Sequence, residues 1–535
     1  MVGEIVNKIA IYLNRHITGN VLDKDSILEA YSSDRSLLKV KPRFVAIPES
    51  TSDLRKLVKF VNQLASKKYS LPISVRGSGL SKTGADLSSG LVISMEKLNH
   101  VRELDAHDRL IHVQAGITLG KLNAVLAPYG LTLPISADPN ETIGSLIANS
   151  PRDKFSKKYG GIMNFVDRIE VVLASGDLLQ TARLSNGRLR AKKSLDNLEG
   201  EIYTKLDKLL LENSERIEDF PNTSRFGYSG LKHIRRVNGK IFDLLPAFFG
   251  SEGNLGIITE VILRLEVLPP RPHRVFAVFN TFKSAAEFAD FCEKIEPLSV
   301  EIFDNRIFKN ADNFGKKPDL LTKKIEDGLL VLATFNDKSR KSRRKVKHAV
   351  RFLPKSAYVV PETIGNSKDF DDFETSLVSF LNDNAKGERG NLLHDFFVPK
   401  ENLGKFLEDL KKLEKSSKRP LEFFGSYATE NFSLRPDFEL KKVDERRAAL
   451  TLLRDLNELL KLHGGNLVGG LPEGRLKSII VYPDMKKEDK KLIEEVKKIF
   501  DPNGVLSPET KSNFDTRSAV RHLRTENLSG PTSAF

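Results

Sequence analysis

Between residues 76 and 84 the chain reads Arg76-Gly77-Ser78-Gly79-Leu80-Ser81-Lys82-Thr83-Gly84. Glycines let a backbone approach a ligand closely, and the hydroxyls and N–H groups of such a turn donate hydrogen bonds, which is what a diphosphate requires. The segment is not the dinucleotide fingerprint, because a strand rather than a helix is expected to follow and the third glycine is misplaced. A second polar loop, Asp138-Pro139-Asn140-Glu141-Thr142-Ile143-Gly144-Ser145, runs on to Asn149 and is followed by Tyr159-Gly160-Gly161. A third, Phe249-Gly250-Ser251-Glu252-Gly253-Asn254-Leu255-Gly256-Ile257-Ile258, enters an apolar run. One glycine-rich turn is ordinary chain reversal; three in series through one region suggest a cofactor cradle.

The elements that must hold these loops can be read from hydrophobic periodicity. Short β-branched runs at 44–48, 73–76, 91–94, 110–113, 169–174 and 257–265 alternate with a helical stretch over 51–67 and further polar connections, which predicts one α/β unit up to about residue 268. Pro269-Pro270-Arg271-Pro272 is a stiff break. Beyond it, strands at 274–280, 329–335, 394–399 and 421–426 alternate with helices at 284–295, 342–352 and 403–413. That arrangement predicts an antiparallel sheet covered by helices. The chain is expected to become helical again from 440, with 446–510 returning to the first domain. A helix over 1–27 is expected to precede it, and 511–535 is expected to form a mobile polar tail.

Composition narrows the chemistry. The single cysteine, Cys292, excludes an intramolecular disulfide framework, a Cys-ligated iron–sulfur cluster and a thiolate zinc site. Redox chemistry would therefore ride on an organic cofactor. No apolar run approaches the ~20 residues of a membrane span, and Asn7, Lys8 and Asn14 interrupt any signal core, so a cytoplasmic protein is expected. The net charge of +14 is spread among 71 acidic residues, apart from a dense run over 338–345. That run reads first as a solvated helix face; nucleic acid is not expected as a partner, and peripheral membrane contact stays open.

Taken in order, the three loops resemble the FAD-binding domain of the vanillyl-alcohol oxidase/p-cresol methylhydroxylase type, and especially its branch of glycolate oxidases and D-lactate dehydrogenases. The resemblance spans about 28–510 and includes Asp501-Pro502-Asn503-Gly504-Val505-Leu506. It implies an α+β protein: a two-part FAD-binding domain over 28–268 and an α+β cap over 270–445 with an antiparallel sheet. It also implies that the first loop cradles the pyrophosphate, the second lies along the flavin and its ribityl chain, and the third supports the adenine side. On that basis Arg76, Gly77, Ser78, Gly79, Leu80, Ser81, Lys82, Thr83, Asp138, Pro139, Thr142, Ile143, Gly144, Ser145, Asn149, Gly160, Glu252, Gly256 and Ile258 are expected to contact FAD. The first loop has no histidine or cysteine, so the FAD is expected to be non-covalent.

The substrate half departs from the resemblance. The relatives' G-H-x-G-D-G-N-L-H falls on Gly425-Ser426-Tyr427-Ala428-Thr429-Glu430-Asn431-Phe432-Ser433, so both metal-binding histidines are serines. Their Glu-His-Gly falls on Gly470-Leu471-Pro472, and a lysine near the substrate carboxylate falls on Leu393. A serine hydroxyl is a poor ligand beside a neutral imidazole, so no metal is expected. Asn431, Tyr427, Arg435 and His463 are the candidate catalytic residues, with Asn431 first because the family asparagine is retained there. A histidine at a helix end such as His463 can equally be a partner of the helix dipole.

The expected activity is hydride transfer from a small organic donor to FAD, with reoxidation by a quinone, a protein or oxygen, since no nicotinamide fingerprint is visible. The alternative is a flavin-binding scaffold or sensor without turnover. With metal and base both missing, D-lactate and D-2-hydroxyglutarate are expected to react slowly or not at all, since general-base assistance alone contributes roughly 10²–10⁴ in rate.

Overall fold

A computed structural model of the chain describes residues 2–220, 224–236, 239–309, 328–353, 358–363, 366–382, 392–512 and 516–525. Its first domain is built on two sheets. In one, the strands run in the order Asn20–Leu22, Phe44–Ile47, Leu91–Ser94, Ile73–Arg76, and the last three are parallel. The crossover helix Thr51–Ser66 starts where Ser50 Oγ accepts from the Asp53 N–H at 3.1 Å, and it buries Leu54, Leu57, Val58 and Val61 against the strands. The other sheet is antiparallel, in the order Val101–Asp105, Leu110–Gln114, Ile257–Arg264, Val166–Val172, Leu178–Gln180. Strand Ile73–Arg76 thus delivers the first glycine loop, and strand Ile257–Arg264 receives the third.

The cap is a seven-stranded sheet, antiparallel at every pairing among the described residues. Alternation along its strands divides the two faces. Val275, Ala277, Val300, Ile302, Val331 and Ala333 pack under helices Phe282–Lys294, Ser339–Phe352 and Lys400–Ser417. Phe276, Val278, Phe303, Leu330 and Leu332 face the other way, toward Phe370 and Phe373 of helix Ser367–Asn382. The basic run lies on Ser339–Phe352, whose buried side carries only Ser342, Val346 and Ala349.

Several boundaries differ from the sequence reading. The N-terminal segment is not a separate helix over 1–27: helix Val2–Asn14 is followed by a strand that joins the first sheet, and Ile9, Ala10, Leu13, Ile17 and Val21 enter the first domain's core. The expected end of the cap at 445 falls inside helix Val443–Leu462, whose Leu452, Leu453, Leu456 and Leu460 pack into the cap core, so the return to the first domain comes later. It is made by helix Lys487–Phe500 and by Leu506, which bridges to Ile73.

The expected mobile tail is docked over 516–525, while 513–515 and 526–535 lie outside the described residues. Helix Thr516–His522 buries Ala519, Leu523 bridges Leu38, and Arg524 Nε donates to the Leu38 carbonyl at 3.1 Å. Polar composition hid this contact because two small apolar side chains and one arginine make it. The expected strand at 394–399 shortens to Phe396–Phe397, because Asp395 turns into the left-handed region at φ 51°.

Candidate functional site

The three polar loops converge. A Cβ added at Gly77 would meet Thr142 Oγ1 at 2.4 Å, so the first and second loops touch through a glycine. Ser78 Oγ donates to the Asn140 carbonyl at 2.5 Å. Gly79 has φ 70°, and a Cβ there would meet the Arg76 guanidinium at 2.2 Å, so both backbone shape and space demand glycine. Thr142 caps helix Ile143–Asn149 by accepting from the Ser145 N–H at 3.3 Å. Ser145 Oγ in turn donates to Glu141 Oε1 at 3.1 Å, and Asn149 Nδ2 donates to Ser145 Oγ at 3.2 Å. The third loop closes the far wall: Glu252 N–H donates to the Ala148 carbonyl at 2.9 Å, and Gly256 packs so tightly on Val171 that a Cβ would lie 2.4 Å from it.

These contacts enclose a cleft of about 740 Å³, counting the solvent at its mouth. Its wall includes Gly77, Ser78, Gly79, Thr142, Gly144, Ser145, Glu252, Gly256 and Ile258. Glu252 is held at φ 53° and is buried; its Oε2 accepts from the Gly474 N–H at 3.2 Å and faces Lys511 Nζ at 3.4 Å. Its Oε1 is buried without a hydrogen-bond partner among the described residues. Burial pushes the Glu252 carboxyl up, with Lys511 pulling it back and Glu473 pushing it further. A glycine-lined trough with hydroxyl donors on one side and an unfilled carboxyl oxygen on the other fits a dinucleotide.

Through Leu80, Ser81, Glu141 and Asn149 the cleft opens into a chamber of about 1810 Å³ between the domains. The expected FAD residues Lys82, Thr83 and Asp138 line it, and Asp138 is paired with Arg35 at 3.0 Å. Arg76, Pro139, Ile143 and Gly160 line neither cavity. Arg76 is buried, donating to the Ser33 carbonyl at 2.8 Å with its guanidinium over the Tyr31 ring, so it anchors the loop from behind.

The cap hairpin Glu422–Ser426/Asn431–Arg435 forms the opposite wall, with Ser426 across from Asn431 and Phe424 across from Ser433. Of the candidate catalytic residues, Asn431 and Arg435 line the chamber. Asn431 Nδ2 donates to the Arg152 carbonyl at 3.2 Å, and Oδ1 is buried without a partner among the described residues. The other two candidates face elsewhere. Tyr427 turns into the cap core, its hydroxyl donating to Asp290 at 2.9 Å and its ring under Lys400. His463 ends helix Val443–Leu462 and meets Asp409 Oδ2 at 3.0 Å. Nearness in sequence to Gly470 misled here, because the Gly464-Gly465 turn sends the chain back before it reaches the chamber.

Sequence reasoning missed the groups that give the chamber its charge. Arg152 stacks on the Phe397 ring, and its Nη1 is buried without a hydrogen-bond partner among the described residues. Burial lowers its basicity. Lys154 Nζ bridges Glu301 Oε2 and Glu374 Oε1, both at 3.0 Å. Glu374, which also gains Arg274 at 2.8 Å, is held down to about 2, whereas Glu301 is pushed up by burial, with Lys154 pulling it back and the Glu374 charge pushing it further. Lys477 is fully buried, donates to the carbonyls of His394 and Leu467, and is pushed by burial down to about 8. The charged stretch at 152–154, directly after the second loop, was the one local signal for any of them.

Residues 42–182 match the FAD binding domain, and residues 268–510 match the FAD linked oxidases, C-terminal domain. The chain thus carries an FAD binding domain followed by a C-terminal domain of the FAD linked oxidase type. Its cofactor is FAD, which the cleft fits. Among its relatives, the D-2-hydroxyglutarate dehydrogenase of Haemophilus influenzae is 24% identical over 525 residues, covering 92% of this chain and 50% of that protein. The chain therefore spans about half the length of several curated relatives that it matches. The mitochondrial D-lactate dehydrogenase [cytochrome] of Arabidopsis thaliana is 24% identical, with 87% of this chain and 73% of that one covered. In fold, the 4-ethylphenol oxidase from Gulosibacter chungangensis superposes with a TM-score of 0.67 at 15% identity, over 96% of this chain and 98% of that one. Together with p-cresol methylhydroxylase at 0.64, it confirms the expected α+β fold of the p-cresol methylhydroxylase type. No helix among the described residues is long and apolar enough to cross a membrane.

Proposed function

We propose that the protein dehydrogenates a small carboxylate-bearing donor in the chamber between its domains, with FAD bound non-covalently and an unidentified quinone, protein or oxygen as final acceptor. The observation that carries this reading is the continuity of the glycine-lined cleft with a chamber walled by Lys82, Arg152 and Arg435. Bound FAD supplies a two-electron sink for the donor's hydride. Arg152, desolvated and with an open donor, would hold the carboxylate, because a charge-assisted hydrogen bond is strongest where water is excluded. Asn431, with its buried Oδ1, would accept from the donor's hydroxyl or orient it. Leu80, Ser81, Glu141 and Asn149, shared by both cavities, would set the distance between the two ligands. The names of the relatives, which act on D-2-hydroxyglutarate and D-lactate, agree with an acidic donor.

Ser426, Ser433, Gly470 and Leu471 all line this chamber, so the reading takes no metal. The test is an anaerobic screen of 2-hydroxy acids, alcohols and sugars for bleaching of the flavin absorbance, with and without a chelator. Bleaching by a carboxylate-bearing compound, unchanged by chelator, is the expected result. A flavin that no compound reduces would instead favour a binding protein without turnover. Release of FAD on acid precipitation tests the non-covalent attachment.

A further inference from the structure

At its Gly470 end the chamber carries a carboxylate that neither the glycine loops nor the family resemblance singles out. A Cβ built on Gly470 would meet Asp395 Cβ at 2.7 Å and Asp395 Oδ1 at 3.2 Å. The Asp395 side chain therefore fills the space that a side chain at 470 would occupy, and it lines the chamber. Position 470 is where the relatives' pattern carries an acidic residue, and in this chain the Asp395 carboxylate stands beside that place.

The backbone around Asp395 is built to hold it. Its φ of 51° lies in the left-handed region, where a residue other than glycine is held by its surroundings. The Gly470 N–H donates to the Asp395 carbonyl at 2.8 Å, and the Asp395 N–H donates to Ser433 Oγ at 3.1 Å. Ser433 is one of the two serines that fall on the relatives' histidines, and here it holds the backbone of the turn that carries Asp395. Behind the turn, Lys477 donates to the His394 carbonyl at 2.8 Å and to the Leu467 carbonyl at 2.9 Å. Asp395 is the carboxylate that contributes most to keeping this buried ammonium charged. The other charged groups lining the chamber near this turn are Lys82 of the first loop, Arg152 after the second, His394 and Arg435; Glu301 and Lys154 pair with each other across the wall.

Resting on the dehydrogenase reading, we infer that Asp395 is the chamber's proton acceptor, a carboxylate base that serves the donor's hydroxyl where the relatives' pattern has an imidazole. The donor's O–H bond breaks with its proton going to Asp395 and its electron pair becoming the second bond of the new carbonyl. The C–H hydrogen leaves with its pair to the two-electron sink named above, and Asp395 afterwards returns its proton to water. Lys477 is a positioning residue: it touches carbonyls and Asp395's field, not the donor.

Oxalate, a dianion shaped like a deprotonated 2-hydroxy acid, probes this without turnover. Seated beside Asp395 it meets a like charge, so that carboxylate should weaken its binding to the holoenzyme, an affinity read by calorimetry. Asp395→Asn should bind oxalate about tenfold more tightly, because the like charge is gone. With the donor found in the screen, the same variant should keep its FAD and slow flavin reduction by about 10²–10⁴-fold. Asp395→Gly, which relieves the left-handed strain and so should fold readily, should behave alike in both measurements. Unchanged oxalate affinity in either variant, or flavin reduction within about threefold of the parent, would overturn the assignment while leaving the dehydrogenase reading intact. A parent protein that neither binds oxalate nor is reduced by any donor would overturn both.

Discussion

The cleft and the chamber share four residues yet are made in different ways. The cleft is shaped by backbone: Gly77, Gly79 and Gly256 sit where a Cβ would collide, and Thr142 caps a short helix beside them. The chamber is shaped by side chains from separate stretches of chain, among them Lys82, Arg152, Asp395 and Arg435. A backbone cradle tolerates little change, because glycine has no conservative substitute at positive φ. A side-chain chamber can exchange a histidine for a serine and still keep charged groups, Asp395 among them, in its wall. The difference explains how a chain can keep a cofactor site intact while the groups around its donor are replaced.

The comparison can be broken most severely at Gly79. Gly79→Trp should abolish FAD retention, since its Cβ already collides with Arg76 and its ring would fill the cleft; flavin absorbance per chain after purification measures this. A variant that retains FAD as well as the parent would show that the cleft is less rigid than its geometry requires.

The next effect belongs to the chamber alone. Arg152→Met should leave FAD content unchanged but weaken oxalate or an acidic donor by about 10–100-fold, the equivalent of ~1.5–3 kcal/mol for a hydrogen bond to a charged group. Because Asn431 is bound to the Arg152 backbone carbonyl, its position should survive the change. Equal loss of FAD and donor affinity would mean that the two regions are not separable.

Lys154 tests how the two regions are held together, since it lies in the first domain and pairs with Glu301 and Glu374 of the cap. Lys154→Met should cost about 2–3 kcal/mol, somewhat less than a fully buried pair because Glu374 is partly exposed. Glu374's folded value, about 2, lies below its ordinary 4.5, so the stability it contributes is present above about 4.5 and is lost as pH falls toward 2. Glu301, pushed up by burial, acts in the opposite sense. The gap in unfolding temperature between parent and variant, rather than either temperature, should therefore narrow across that window.

The smallest effects are expected at His463 and Tyr427. His463→Gln and Tyr427→Phe should change flavin reduction within about twofold, since both side chains are engaged in the cap. A large loss at either would extend the chamber beyond its present lining.

The sequence alone determined the elements and the cofactor cradle. Glycines, caps and hydrophobic periodicity act over a few residues, so three loops in order and an antiparallel cap sheet covered by helices could be read directly. Asn431 was legible because the resemblance retains an asparagine there, and the strand that carries it also brings Arg435 to the chamber. Residues 516–525 were not, because Arg524 spends its charge on carbonyls of the chain near Leu38, far away in sequence. Only the tertiary structure decided which charges gather in the chamber wall and behind it. Arg152, Asp395 and Lys477 are each ordinary in their own segments, and a lysine in a short apolar stretch gives no sign that burial will bring it down to about 8. Their roles depend on desolvation and on neighbours supplied by other segments, quantities that exist only once the cap has closed over the first domain.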